Sequence, residues 1–83
     1  MATDQVIEKL LEVFSSVVGE DAVHGAATAR GDMEVWDSLA QVRLVYAVER
    51  AFDVELPERL LTSEVSLSDI AAAVVDARSE RTA

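Results

Sequence analysis

Apolar residues first fall into register near the start of the chain, where Val6, Ile7, Leu10, Leu11, Phe14, Val17 and Val18 recur at helical spacing. Thr3 is placed as the N-cap of this first helix with Asp4 in its first turn, and Gly19 as the stop. From Glu20 to Trp36 the periodicity dissolves into small and charged residues, including Gly25, Gly31 and the run from Ala26 to Ala29. A connecting loop over about 19–37 is therefore expected. It is long for a small domain, which implies either a short helix within it or a functional loop passing from one end of a bundle to the other. A second helix opens at Asp37 or Ser38 and runs to about Phe52, with breakers at Asp53 and Pro57. Pro57 suits the first position of a short third helix over Glu58 to Leu61, with Leu60 and Leu61 turned inward. Ser66 caps a fourth helix, Asp69 three residues on completes a relative of the capping box, and Leu67, Ile70, Ala71, Val74 and Val75 form the buried stripe. From about Ser79 a polar, frayed tail is expected. Three long helices and one short one, with no strand pattern, predict an all-α fold: a small four-helix bundle over a single domain, 1–83.

Composition narrows the function. Eighty-three residues support one core, and a half-apolar chain is too hydrophobic for a disordered one. There is no cysteine, so neither a disulfide framework nor a thiolate metal site is available. Sixteen acidic residues against seven basic ones give a formal charge of −9, which repels a phosphate backbone and makes nucleic acid an unsuitable partner. A protein with basic docking patches would instead be attracted. Met1 to Glu12 carries acidic residues within an amphipathic pattern and does not read as a signal peptide, and no apolar run reaches membrane-spanning length. Cytoplasmic residence away from the membrane is the expectation.

The stretch with chemical content is Val35-Trp36-Asp37-Ser38-Leu39, a serine at the mouth of an amphipathic helix behind a long loop. An Asp-Ser pair in that position most often caps a helix. The same position also suits a phosphate ester, because a helix N-terminus presents unpaired N–H groups and the positive end of the helix dipole. Asp37 has three available roles: capping the helix, orienting Ser38, or sharing a magnesium ion with an enzyme and the diphosphate of coenzyme A.

Asp37-Ser38-Leu39 is followed by Leu44-Val45-Tyr46-Ala47-Val48-Glu49-Arg50-Ala51-Phe52, then Val54-Glu55-Leu56-Pro57 and Ser66-Leu67-Ser68-Asp69-Ile70. In this order the chain resembles the acyl and peptidyl carrier proteins, from the first helix to the fourth. The resemblance implies a bundle of acyl-carrier-protein type, phosphopantetheine derived from coenzyme A and attached to Ser38 by a separate phosphopantetheinyl transferase, and docking of partner enzymes on the second helix. The partners would be an acyl or aminoacyl loading enzyme and a downstream synthase or transferase, with the carrier itself non-catalytic and monomeric. One departure stands out: many carriers of fatty acid synthesis have a markedly acidic second helix, whereas this one has Arg43 and Arg50 with Glu49 its only acid. That favours a stand-alone carrier in polyketide, nonribosomal peptide or related secondary-metabolite (antibiotic) biosynthesis over fatty acid synthesis.

At about 100° per residue, Ala40, Leu44, Val45, Ala47, Val48, Ala51 and Phe52 face the core, and Leu39, Val42 and Tyr46 share the other sector with Arg43, Glu49 and Arg50. These six form a candidate partner face, although the three apolar ones equally suit flanking the core or covering the loop. Trp36 and Met33 suit loop packing, with contact to the arm or cargo as the other option. His24 invites a triad with Ser38 and Asp37, but adjacent residues cannot easily flank one imidazole. Glu20, Asp21, Asp32 and Glu34 lack the spacing of a calcium loop and are expected to be solvated, so no metal site is assigned. The competing function is an acidic helical adaptor that binds a partner through the second helix and is never modified.

Overall fold

A computed structural model describes residues 3–62 and 65–82. Among these residues the chain forms four α-helices, α1 (Thr3–Val18), α2 (Ser38–Phe52), α3 (Arg59–Thr62) and α4 (Leu67–Thr82). The fold is all-α, three long helices and one short, as the periodicity predicts.

The core is the sum of the apolar stripes. Val6, Leu10 and Phe14 from α1 meet Leu44, Val45, Val48 and Phe52 from α2, Leu60 from α3 and Leu67, Ile70, Ala71 and Val74 from α4. Fully burying side chains of this size stabilises the fold by about 1.5–3 kcal/mol each relative to exposure, and with no cysteine present packing carries the stability. Phe52, 8% exposed, has the Lys9 ammonium 5.4 Å and the Arg78 guanidinium 5.9 Å from its ring centroid, so cations from α1 and α4 close over the end of α2.

Helix ends follow local chemistry. Thr3 is the first helical residue of α1 rather than its cap, and the position before it lies outside the described residues. Gly19 ends α1 at φ +91°, donating its N–H to the Ser15 carbonyl, a left-handed backbone that glycine adopts without a Cβ penalty. Asp53 ends α2 at φ 56°, and the N–H groups of Asp53 and Val54 both reach the Glu49 carbonyl. The first turn of α3 begins one residue later than predicted, at Arg59, because Pro57 and Glu58 contribute carbonyls that accept from Leu60 and Leu61 before regular helix starts. At α4 the capping box forms: Asp69 N–H donates to Ser66 Oγ at 3.2 Å and Ser66 N–H to Asp69 Oδ2 at 3.0 Å. The helix then continues through Thr82, past Ser79, where the sequence predicted a polar tail.

Between α1 and α2 the chain makes two short 3-10 turns, Gly25–Ala27 and Arg30–Asp32. Buried Thr28 stitches the first: its hydroxyl donates to the Gly25 carbonyl and accepts from His24 N–H, each at 2.8 Å. The second is closed by the Asp32 carboxylate, which accepts from Ala29 N–H. An isolated β-bridge between Ala29 and Ser66 then fastens the loop to the start of α4, with Arg30 N–H donating to the Val65 carbonyl and Leu67 N–H to that of Thr28. Ser68 Oγ adds a bond to the Ala26 carbonyl at 2.8 Å.

Candidate functional site at the start of the second helix

Asp37 has extended backbone (φ −92°, ψ −171°) and its Oδ1 accepts from Ala40 N–H at 2.9 Å, which makes it the N-cap of α2. Ser38 is therefore the first residue of the helix, and its side chain is exposed. In that first turn the N–H groups of Ser38 and Leu39 have no acceptor within the helix, and the positive end of the helix dipole lies beside the serine hydroxyl.

The junction is anchored on its loop side by Trp36, which is buried. Its ring is 2% exposed and sits edge-on to Phe14, centroids 4.9 Å apart at 74°. Trp36 Nε1–H donates to Gln41 Oε1 at 2.6 Å, and Gln41 Nε2 donates to the Leu60 carbonyl at 2.5 Å. Gln41 is fully buried, and through it the residue two before Ser38 is tied to α2 and α3 at once. Neither bond was anticipated, yet Gln41 stands three, four and seven residues before Leu44, Val45 and Val48, in the register of the apolar stripe. That register was the available signal. Met33 is buried beside this anchor, so both loop residues are packing residues.

The structure also brings in a residue that sequence reasoning passed over. Arg30, on the second 3-10 turn, donates from Nη2 to Ser38 Oγ at 3.2 Å. Eight positions separate the two residues, and the turn that carries Arg30 adjoins the bridge to α4.

Of the six residues predicted to form a partner face, Leu39 and Tyr46 are 59% and 56% exposed, Arg43 and Arg50 are exposed, and Val42 is half-buried. Val35, 42% exposed, adds an apolar group on the loop side of Ser38. Glu49 differs. It is half-buried, and its carboxylate accepts from Leu56 N–H at 2.8 Å, fastening the segment after α2. His24 is exposed on the first turn. Glu20, Asp21, Asp32 and Glu34 are exposed, and of these Asp21 accepts from Ser15 Oγ while Asp32 caps its own turn. Among the described residues no three His, Cys, Asp or Glu side chains gather into a metal site, and no helix is long and apolar enough to cross a membrane.

Ser38 is thus an exposed serine at a capped helix start, two residues after a buried tryptophan, on a small helical bundle. Comparison with protein families gives a match over residues 8–74 to the phosphopantetheine attachment site family, and the chain belongs to that family. Comparisons with curated proteins and with solved structures gave no significant match. Members of the family carry covalently attached phosphopantetheine and are generally non-catalytic, working with phosphopantetheinyl transferases and other enzymes.

Proposed function

We propose that Ser38 is the attachment residue, and that the chain, as one carrier domain over 1–83, holds an acyl or aminoacyl group as a thioester on a phosphopantetheine arm and presents it to partner enzymes. The observation that carries this reading is the exposed hydroxyl of Ser38 at the capped N-terminus of α2, inside the matched segment 8–74. In the loading step the Ser38 oxygen bonds to the β-phosphorus of coenzyme A, the diphosphate bridge breaks, adenosine 3′,5′-diphosphate leaves, and the hydroxyl proton passes to a base of the transferase. Asp37 keeps the helix start formed, which holds the oxygen in one place and keeps the first-turn N–H groups open to an added anion. When bound, the arm supplies a terminal thiol that carries the cargo between active sites, converting successive encounters into tethered ones.

The outward face of α2, with Leu39, Val42, Arg43, Tyr46 and Arg50, is the proposed docking surface. Small apolar contacts among charges fit a partner that must also be released. The two arginines favour cognate enzymes of a polyketide, nonribosomal peptide or other secondary-metabolite pathway rather than those of fatty acid synthesis. Action as a cytoplasmic monomer completes the proposal. Incubation with coenzyme A, magnesium and a broad-specificity transferase, followed by intact mass, should show one phosphopantetheinyl group on the native chain and none on Ser38→Ala. Addition to Ser38→Ala refutes the assignment, and no addition to the native chain favours the unmodified adaptor.

A further inference from the structure

We infer that Arg30 holds the phosphodiester of the arm: its guanidinium, which donates to Ser38 Oγ in the unmodified chain, moves onto a non-bridging phosphoryl oxygen once Ser38 is esterified. This rests on Ser38 being the attachment residue. Before modification the serine oxygen is a good acceptor and takes the Nη2 hydrogen at 3.2 Å. After esterification the same oxygen bridges to phosphorus and is a poor acceptor, while the negative charge resides on two oxygens one bond further out. A guanidinium already at contact distance needs only a small adjustment to reach them, and its planar fork suits a phosphate better than a point charge does.

The support of Arg30 fits that task. Its backbone is fixed by the 3-10 turn, by its own N–H on the Val65 carbonyl and by the adjacent Ala29–Ser66 bridge, so the origin of the side chain is constant. The side chain is only half-buried, which leaves its long stem free to follow the oxygen that carries the charge. Across the ester the first turn of α2 offers N–H groups, so the phosphate would sit between two positive features contributed by separate elements. The consequence is directional: the arm favours one exit direction over an even sweep of a hemisphere. An exposed contact of this kind biases such an equilibrium by about fivefold at most, which orients the arm without locking it.

The test compares apo and holo protein by NMR, reading the Arg30 guanidinium protons and the phosphorus resonance, with holo Arg30→Gln and Arg30→Lys alongside. Intact mass and helicity are checked for each. The expected result is that the native guanidinium signals move on modification. The holo phosphorus resonance should be displaced from that of Arg30→Gln, with the displacement shrinking as salt is raised and partly restored by lysine at low salt. Guanidinium signals that stay in place while the mass confirms loading, or phosphorus resonances identical in native and Arg30→Gln protein, would make Arg30 a structural residue of the loop and overturn the inference. The native apo-to-holo comparison needs no variant to fold. Absence of added mass is a different failure, that of the Ser38 assignment itself, and removes this inference with it.

Discussion

Replacing Gln41 with methionine keeps the side-chain volume and removes both hydrogen bonds that the amide makes. In the native protein Gln41 Oε1 takes the Trp36 indole proton at 2.6 Å and Nε2 gives one to the Leu60 carbonyl at 2.5 Å, with Gln41 and Leu60 fully buried and Trp36 nearly so. A buried donor or acceptor deprived of its partner costs about 1–3 kcal/mol, so two such groups should destabilise by about 2–6 kcal/mol, with about 4 kcal/mol the central expectation. Chains of this length have unfolding free energies of about 4–12 kcal/mol at typical per-residue values, so the loss is a large share of the total. Urea unfolding followed by helical circular dichroism should show a midpoint lowered by about 2–4 M for the central loss with an unchanged slope, given slopes of about 1–2 kcal/mol/M, the lower end for small domains. Trp36→Phe keeps a ring against Phe14 but leaves Gln41 Oε1 without its donor. The double variant should therefore lose less than the sum of the two by about 1 kcal/mol or more, because each change removes the group the other orphans. A Gln41→Met loss below about 1 kcal/mol, or additivity of the two changes within about 0.5 kcal/mol, would mean that the tryptophan and the glutamine are not coupled and that the loop is held to the bundle by apolar packing alone.

Two further outcomes test the site and its surroundings. Asp37→Ala should destabilise the unmodified protein by about 1 kcal/mol through loss of the bond to Ala40 N–H, with Asp37→Asn retaining most of the stability; equal stability of all three forms in urea would mean that the cap contributes nothing. Arg43→Glu combined with Arg50→Glu should leave helicity intact, since both side chains are exposed, while lowering loading of the holo protein by its own loading enzyme, by about 1 kcal/mol or less if the contact stays wet and a few if it is desolvated. Unchanged loading in that variant and in Tyr46→Ala removes α2 as the docking face.

What could be read from residue order was local in character. The stripes of α1 and α4, the Ser66 and Asp69 box and the Asp37-Ser38 junction depend on neighbours within two turns, so spacing and side-chain chemistry sufficed. Gln41 escaped because only apolar residues were assigned to the buried face, and a buried amide is apolar in position but not in kind. Glu49 was assigned outward for the same reason, whereas its carboxylate is committed to Leu56 N–H seven residues on. Arg30 lay beyond such reasoning altogether. Its place beside Ser38 is on a 3-10 turn that adjoins a bridge to α4, and neither leaves a periodic trace in the loop.

The bond from Ser68 to the Ala26 carbonyl joins residues 42 apart in the chain, and the Ala29–Ser66 bridge spans nearly as far. Helices assemble from local contacts within microseconds, but a closure of this length must first offset the entropy of the intervening chain, which grows as the logarithm of its length. The loop that presents Arg30 is thus fastened to α4, and the amide bonds of Arg30 and Leu67 that cross between them cannot persist when α4 detaches. The surroundings of the serine in this way depend on a helix that begins nearly thirty residues further on, and an arginine set opposite the hydroxyl keeps its place through the docking of that helix.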